Sequence, residues 1–291
     1  MLRGLRARAG AATAALAFAA ASALVTTTDL GAADAKPTQK ALLDSASRYV
    51  ATFVERFTNV VAEERYIQDW KTNAGVLLVH RELKGDFLLT RPAPTAPWLA
   101  FRDVFEVDGE KVRDRFRIDE LLLKPTAKAL EEAASITRES AKYNVSNVSR
   151  TINQPLFTMI FLQAGYHAKF YYSVEKLDKA VGPNVWILQY KETARPTVVR
   201  GTQNRDLPAK GRFWIDAATG RVAKTEIQLE DNLQSAQLTT TFAEDQRFQI
   251  DVPKEMKEQY AVKGNGGRVT GVATYGSFRQ FDVTTTEEQV R

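Results

Sequence analysis

Residues 41–70 read ALLDSASRYVATFVERFTNVVAEERYIQDW, and their reading decides the fold. Leu42, Ala46, Tyr49, Val50, Phe53, Phe57, Val60 and Val61 recur at steps of three and four, the apolar stripe of an amphipathic helix. From Arg65-Tyr66-Ile67-Gln68 the period drops to two and a long series of short strand-like segments opens. One greasy helix followed by many strands implies a helix lying on one face of an antiparallel sheet. The functional question is what occupies the space between them.

The segment before this stretch has a different character. In residues 1–35, Arg3, Arg6 and Arg8 precede the uncharged, Ala-rich run 11–25, and Ala33-Asp34-Ala35 supplies small residues for cleavage. This reads as a secretory signal, with an earlier cut near Ala23 or an uncleaved anchor as alternatives. Residues 36–291 are expected to form a single α+β domain. The net charge of +5 over 291 residues suits solubility and gives no support to nucleic-acid binding. No other apolar run is long enough to cross a membrane. Cysteine is absent, which excludes disulfides, thiolate metal sites, a cysteine nucleophile and acylation at a lipoprotein cysteine. Export without cysteine fits the bacterial periplasm.

Downstream, Val76-Leu77-Leu78-Val79 and Phe87-Leu88-Leu89 flank Lys84-Gly85-Asp86, which reads as a hairpin turn. Pro92, Pro94 and Pro97 break the next stretch. Leu99, Phe101, Phe105 and Val107 share one face of a strand that turns at Asp108-Gly109, and 111–116 return as its partner. Residues 118–144 are helical in composition, with Thr126 as a cap, and a buried short helix is expected from Pro155. After Gly165 the strands resume. The clearest hairpin joins 212–216 to 221–230 through Ala217-Ala218-Thr219-Gly220. A short helical turn is expected at 254–260. The sum is ten or eleven strands in one curved antiparallel sheet, an unclosed β-barrel, with helices covering its concave side.

The chemistry-bearing candidates are thin. His80 and His167 each lack the partners a metal site or a triad needs, and no G-x-S-x-G occurs. Glu63-Glu64 reads as a solvated helix end, because adjacent helix positions do not flank one bond. The glycines at 264–271 lack the Lys-Ser/Thr ending of a phosphate loop. Arg113, Arg115 and Arg117 at period two read as an ion-paired strand face. No catalytic residue, metal or cofactor is assigned.

The hairpin Arg212-Phe213-Trp214-Ile215-Asp216 … Thr219-Gly220-Arg221-Val222 and the stretch 248–260 give the chain a resemblance to the bacterial outer-membrane lipoprotein carrier and its relatives. The order of elements is similar over residues 42–283, and exported bacterial proteins carry segments like 101–109. The resemblance implies a periplasmic, non-enzymatic protein, an unclosed barrel with a helical lid whose interior holds a hydrophobic small molecule or the acyl chain of a lipidated protein. A transient envelope-protein partner also follows from it. The expected lining is Phe53 and Phe57 from the helix, with Phe101, Phe105, Phe170 and Tyr172 from strands. Trp186, Leu188, Ile215 and Ile227 complete it. Two alternatives stay open at this point: a filled-core interaction or envelope-sensing module of the same fold, and a hydrolase with a spatially assembled site.

Overall fold

The computed structural model describes residues 35–90, 99–115, 117, 121, 127–146, 148, 150, 152–264 and 266–281. The signal segment, the three prolines at 92–97, Thr126 and the tail after 281 lie outside the described residues.

Helix α1 spans Gln39–Arg56, and the Thr38 hydroxyl caps it by accepting from the Ala41 N–H. Leu42, Leu43, Ala46, Val50, Phe53 and Val54 are its buried face. It ends at Phe57, earlier than the stripe suggests, because Asn59 turns the chain with φ +58° into strand β1, Val60–Lys71. Val60 and Val61 therefore point to opposite sides of a sheet instead of along one helix face.

The sheet is antiparallel and eleven-stranded: β2 Leu77–Thr90, β3 Leu99–Val107, β4 Glu110–Lys111, β5 Phe170–Leu177, β6 Val185–Glu192, β7 Ala209–Asp216, β8 Val222–Glu230, β9 Gln234–Asp245, β10 Ile250–Val262 and β11 Arg268–Gln280. The order is β4-β3-β2-β1-β11-β10-β9-β8-β7-β6-β5. The two meanders join where the first strand pairs with the last, and β4 and β5 remain as separate edges. It is an α+β fold built on a curved, unclosed sheet.

Four local readings differ from the sequence pattern. Gly85 is not a turn but lies inside β2, where a Cβ would sit 2.8 Å from the Asp103 carbonyl oxygen; the hairpin turn is at 72–76, with Gly75 at φ +86°. Residues 254–260 continue β10 rather than forming a helical turn, because β9 and β11 hydrogen-bond both edges and override local composition. The strand after Asp108-Gly109 is only two residues long. Helix α2, Ala127–Ser140, does not share the face of α1. It runs along the edge of β3, where the Thr137 and Ser140 hydroxyls accept from the Arg102 and Val104 N–H groups, covering donors that an edge strand would otherwise expose.

The main core lies between the sheet and α1, joined by two 3₁₀ segments, Phe157–Leu162 and Ala164–Lys169. The short helix expected from Pro155 is the first of these, and Met159, Phe161 and Leu162 are fully buried in it. A smaller cluster of Val61, Leu88, Phe101 and Ala133 packs on the other face beneath α2.

Candidate functional site

The inner face of the sheet has an apolar region and a polar region. In the apolar region Phe53 stacks on Phe57 with ring centroids 5.2 Å apart, and Phe57 meets Phe278 edge-on at 5.9 Å. Alongside, Phe161 from the 3₁₀ segment packs on Phe170 at 4.6 Å and Tyr190 at 5.5 Å, while Tyr190 stacks on Phe213 at 4.8 Å. The Tyr172 hydroxyl donates to the Phe161 carbonyl at 2.6 Å, tying that segment to β5.

Of the ten residues expected to line an interior, Phe53, Phe57, Phe170, Tyr172, Trp186, Leu188, Ile215 and Ile227 come together in this one core. Phe53 and Phe57 are 0% and 1% exposed, so the space around these two rings is filled by side chains. Phe101 and Phe105 do not join them. Gly85 pairs with Val104 and Lys84 with Glu106, so Phe105 is the extra residue of a β-bulge, and the alternation flips across it. Phe101 thereby faces the α2 cluster, and Phe105 is half-buried beneath the Arg115 guanidinium, 4.7 Å from its ring centre.

The α1–sheet junction is fixed by the 216–222 turn. Asp216 accepts from the Ala218 and Thr219 N–H groups at 3.0 and 2.9 Å. Gly220, at φ +77°, lies so close to α1 that a Cβ would sit 2.3 Å from the Ser45 carbonyl oxygen. Arg221 then pairs with Asp251, its Nε 2.7 Å from Oδ2, and the Asp251 N–H donates to the Tyr49 hydroxyl of α1 at 3.1 Å. Ser45, Tyr49, Ala218, Thr219 and Arg221 line an open groove of about 470 Å³ along this seam.

The polar region was not legible as such in the sequence. Glu64, Gln68 and Glu258 are all buried there. Glu64 is no helix end: on β1 it faces inward, and the Arg102 guanidinium grips it with Nη2 2.8 Å from Oε1. Arg102 also lies 5.6 Å over the Tyr66 ring and donates to the Asn153 carbonyl at 3.1 Å. Burial works against its charge, but the Glu64 carboxylate holds its pKa well above the ordinary arginine value.

Arg150 donates to the Tyr66 hydroxyl at 2.7 Å and the Val145 carbonyl at 2.8 Å, and stands 3.5 Å from Glu258. Tyr66 and Tyr260 both donate to the Glu258 carboxyl, the latter at 3.0 Å. Burial pushes the Glu258 carboxyl up, against the pull of Arg150 and the two tyrosines. Gly271 makes this meeting possible, since a Cβ there would lie 2.7 Å from both Glu258 and the Tyr66 ring. Beside the network is a cavity of about 120 Å³ whose lining includes Phe87, Arg102, Asn144, Arg150 and Asn153. The signal that could have revealed it is parity: Glu64, Tyr66 and Gln68 alternate inward, as do Met256, Glu258 and Tyr260.

The arginines at period two are ion-paired, though not as a strand. Arg113 meets Glu139 at 2.7 Å, Arg115 meets Glu63 at 2.6 Å and Asp86 at 3.1 Å, and Arg117 meets Asp103 at 2.7 Å. His80 is exposed and pairs with Asp69 at 2.7 Å, whereas a nitrogen of His167 contacts the Leu162 carbonyl at 2.9 Å. Among the described residues no group of three His, Cys, Asp or Glu is placed to hold a metal, and no helix is long and apolar enough to cross a membrane.

No protein-family model matches the chain, and no curated protein matches it. Among solved structures it is similar to an outer membrane lipoprotein-sorting protein domain from Vibrio parahaemolyticus. That crystal structure is 14% identical, with a TM-score of 0.31, and the match covers 80% of this chain and 92% of that one. A likeness at this level carries no functional argument.

Proposed function

We propose that the protein is a non-enzymatic binder or carrier of a hydrophobic ligand, a lipid or the acyl chain of a lipidated protein. In this reading it takes up the ligand on the inner face of the open sheet. The observation that carries the reading is the cover itself. An unclosed sheet has its apolar face closed by α1 and the 157–169 segments, whose contacts with it include edge-on aromatic pairs, Phe57 on Phe278 and Phe161 on Tyr190, rather than strand pairing. A cover of that kind can be exchanged. Each buried CH₂ is worth about 0.8 kcal/mol, so a 16-carbon chain needs roughly 12 kcal/mol of apolar cover outside a membrane. A ligand that displaces the aromatic plug substitutes one set of apolar contacts for another, and the net cost of opening is correspondingly small. Export through residues 1–35, a periplasmic setting and a single domain over 36–291 belong to the same proposal.

The full burial of Phe53 and Phe57 favours one rival, a filled-core interaction module that binds no small ligand. Native mass spectrometry of protein expressed in bacteria separates the two. The carrier reading expects co-purified lipid, or uptake of added fatty acid; a clean apo mass that stays unchanged with fatty acid present would refute it.

A further inference from the structure

The polar region of the inner face holds more donors than it uses. Arg150, with a side chain 2% exposed, commits Nη1 to Tyr66, Gln68 and Asn144 and Nη2 to Val145, and its Nε is buried without a hydrogen-bond partner. Asn153 is 6% exposed, and its Nδ2 also lacks a partner. Next to them Gln68, fully buried, accepts on its Oε1 from the Val145 N–H and from Arg150 and leaves Nε2 unpaired. All three orphan atoms are N–H donors. Buried polar groups are nearly always satisfied, so three donors of one kind in one place mark a preference for an acceptor.

Arg150 and Asn153 both line the 120 Å³ cavity, and Arg102 stands in its wall. Two guanidinium groups face two carboxyls here, and burial pushes the pKa of one of those carboxyls, Glu258, up. Phe87 and Ala100 also line the cavity, with the Arg102 guanidinium 5.9 Å over the Phe87 ring, so apolar surface adjoins the donors. Its volume admits a small oxyanion group and not a whole lipid.

We propose that this cavity is an oxyanion subsite that takes a carboxylate or phosphate group through Arg150 Nε and Asn153 Nδ2, with the Arg102 guanidinium alongside. The group is either the head of an amphiphile, which rests on the carrier reading above, or a free small anion, which does not. Arg102 and Arg150 are already anchored by Glu64, Tyr66 and Val145, so the donors are held in place before the anion arrives. That preorganisation limits the ordering cost of binding.

Calorimetric titration of the full chain with acetate, inorganic phosphate, decanoate and decanol tests this. Decanoate is expected to bind at least about tenfold more tightly than decanol, the scale of one hydrogen bond to a charged group. Asn153→Ala should erase most of that preference, and it removes no side-chain donor bond the fold uses. Arg150→Lys, which keeps the charge and deletes Nε, should weaken decanoate likewise. Decanoate tighter than acetate identifies a lipid head as the source. Acetate or phosphate binding as well as decanoate identifies a free anion, and the subsite then stands while the carrier reading fails. Equal binding of decanoate and decanol, unchanged by Asn153→Ala, overturns the subsite and leaves the carrier reading intact. Absence of binding by every anion overturns it too.

Discussion

Replacing Phe53 by alanine distinguishes a packed plug from a loose lid. The ring is fully buried, stacks on Phe57 at 5.2 Å and lies 6.3 Å from Tyr49, so its neighbours cannot close over the gap without moving a whole aromatic row. Deleting a buried phenyl group costs about 3–5 kcal/mol through lost transfer energy and the cavity left behind. In a domain of this size each kcal/mol is worth roughly 2–4 °C in Tm, so a drop on the order of 10 °C is expected. Thermal melts followed by circular dichroism read it directly. Phe105→Ala is the control: that ring is half-buried under Arg115, and its loss should cost no more than about 1–2 kcal/mol, the lost apolar cover plus an exposed cation–π contact. A Phe53→Ala change below about 1 kcal/mol would refute the packing described for α1.

Gly220→Ala combines left-handed strain of about 1–2 kcal/mol with a backbone clash against Ser45, whereas Gly109→Ala, at φ +86° with open space around it, carries the strain alone. Urea denaturation should therefore show Gly220→Ala as the more damaging by at least 1 kcal/mol or so. Arg102→Ala leaves Glu64 buried without its guanidinium partner and should cost about 3–5 kcal/mol, much of it recovered when Glu64→Leu is added. Burial raises the Glu258 pKa above 4.5, so the folded state holds that proton more tightly than the unfolded chain does. The resulting stabilisation is full below the unfolded value and is lost as pH rises through the folded one. Stability should fall as pH rises above the ordinary carboxyl value, with a slope approaching about 1.4 kcal/mol per pH unit at most, and Glu258→Gln should flatten it in denaturation curves taken over a pH series.

How much of this was legible in the chain depends on whether local pattern or long-range pairing decides each element. The α1 stripe, the Asp108-Gly109 turn and the 212–230 hairpin are local, and each carries its own signal: apolar spacing, two successive positive φ angles, and a capping Asp216 before Gly220. The extent of α1 was less clear, because Val60 and Val61 continue a helical spacing while serving opposite faces of a strand. Residues 254–260 have helical composition but two sheet neighbours. The bulge at Phe105 shifts the alternation by one, and no residue type there announces it. That single shift separates Phe101 from the face of Val107 and puts it across the sheet from Phe53. The polar network was hidden for a further reason. Glu64, Arg102, Arg150 and Glu258 lie far apart in sequence; strand order brings three of them together, and Arg150 reaches them from outside the strands.

The absence of cysteine in the chain gives a direct handle on the plug. Ser45 of α1 and Ala218 of the adjoining turn line the same groove; a cysteine pair introduced there, its oxidation verified by loss of free thiols, clamps α1 to the sheet when oxidised and frees it when reduced. The measurement is uptake of a fluorescent fatty acid by that variant in both states, beside the wild type. Uptake by the wild type and the reduced variant, with none by the oxidised one, is the expected result. Failure of all three to take up the probe, or equal uptake by clamped and free protein, would contradict a ligand site that opens by displacement of α1.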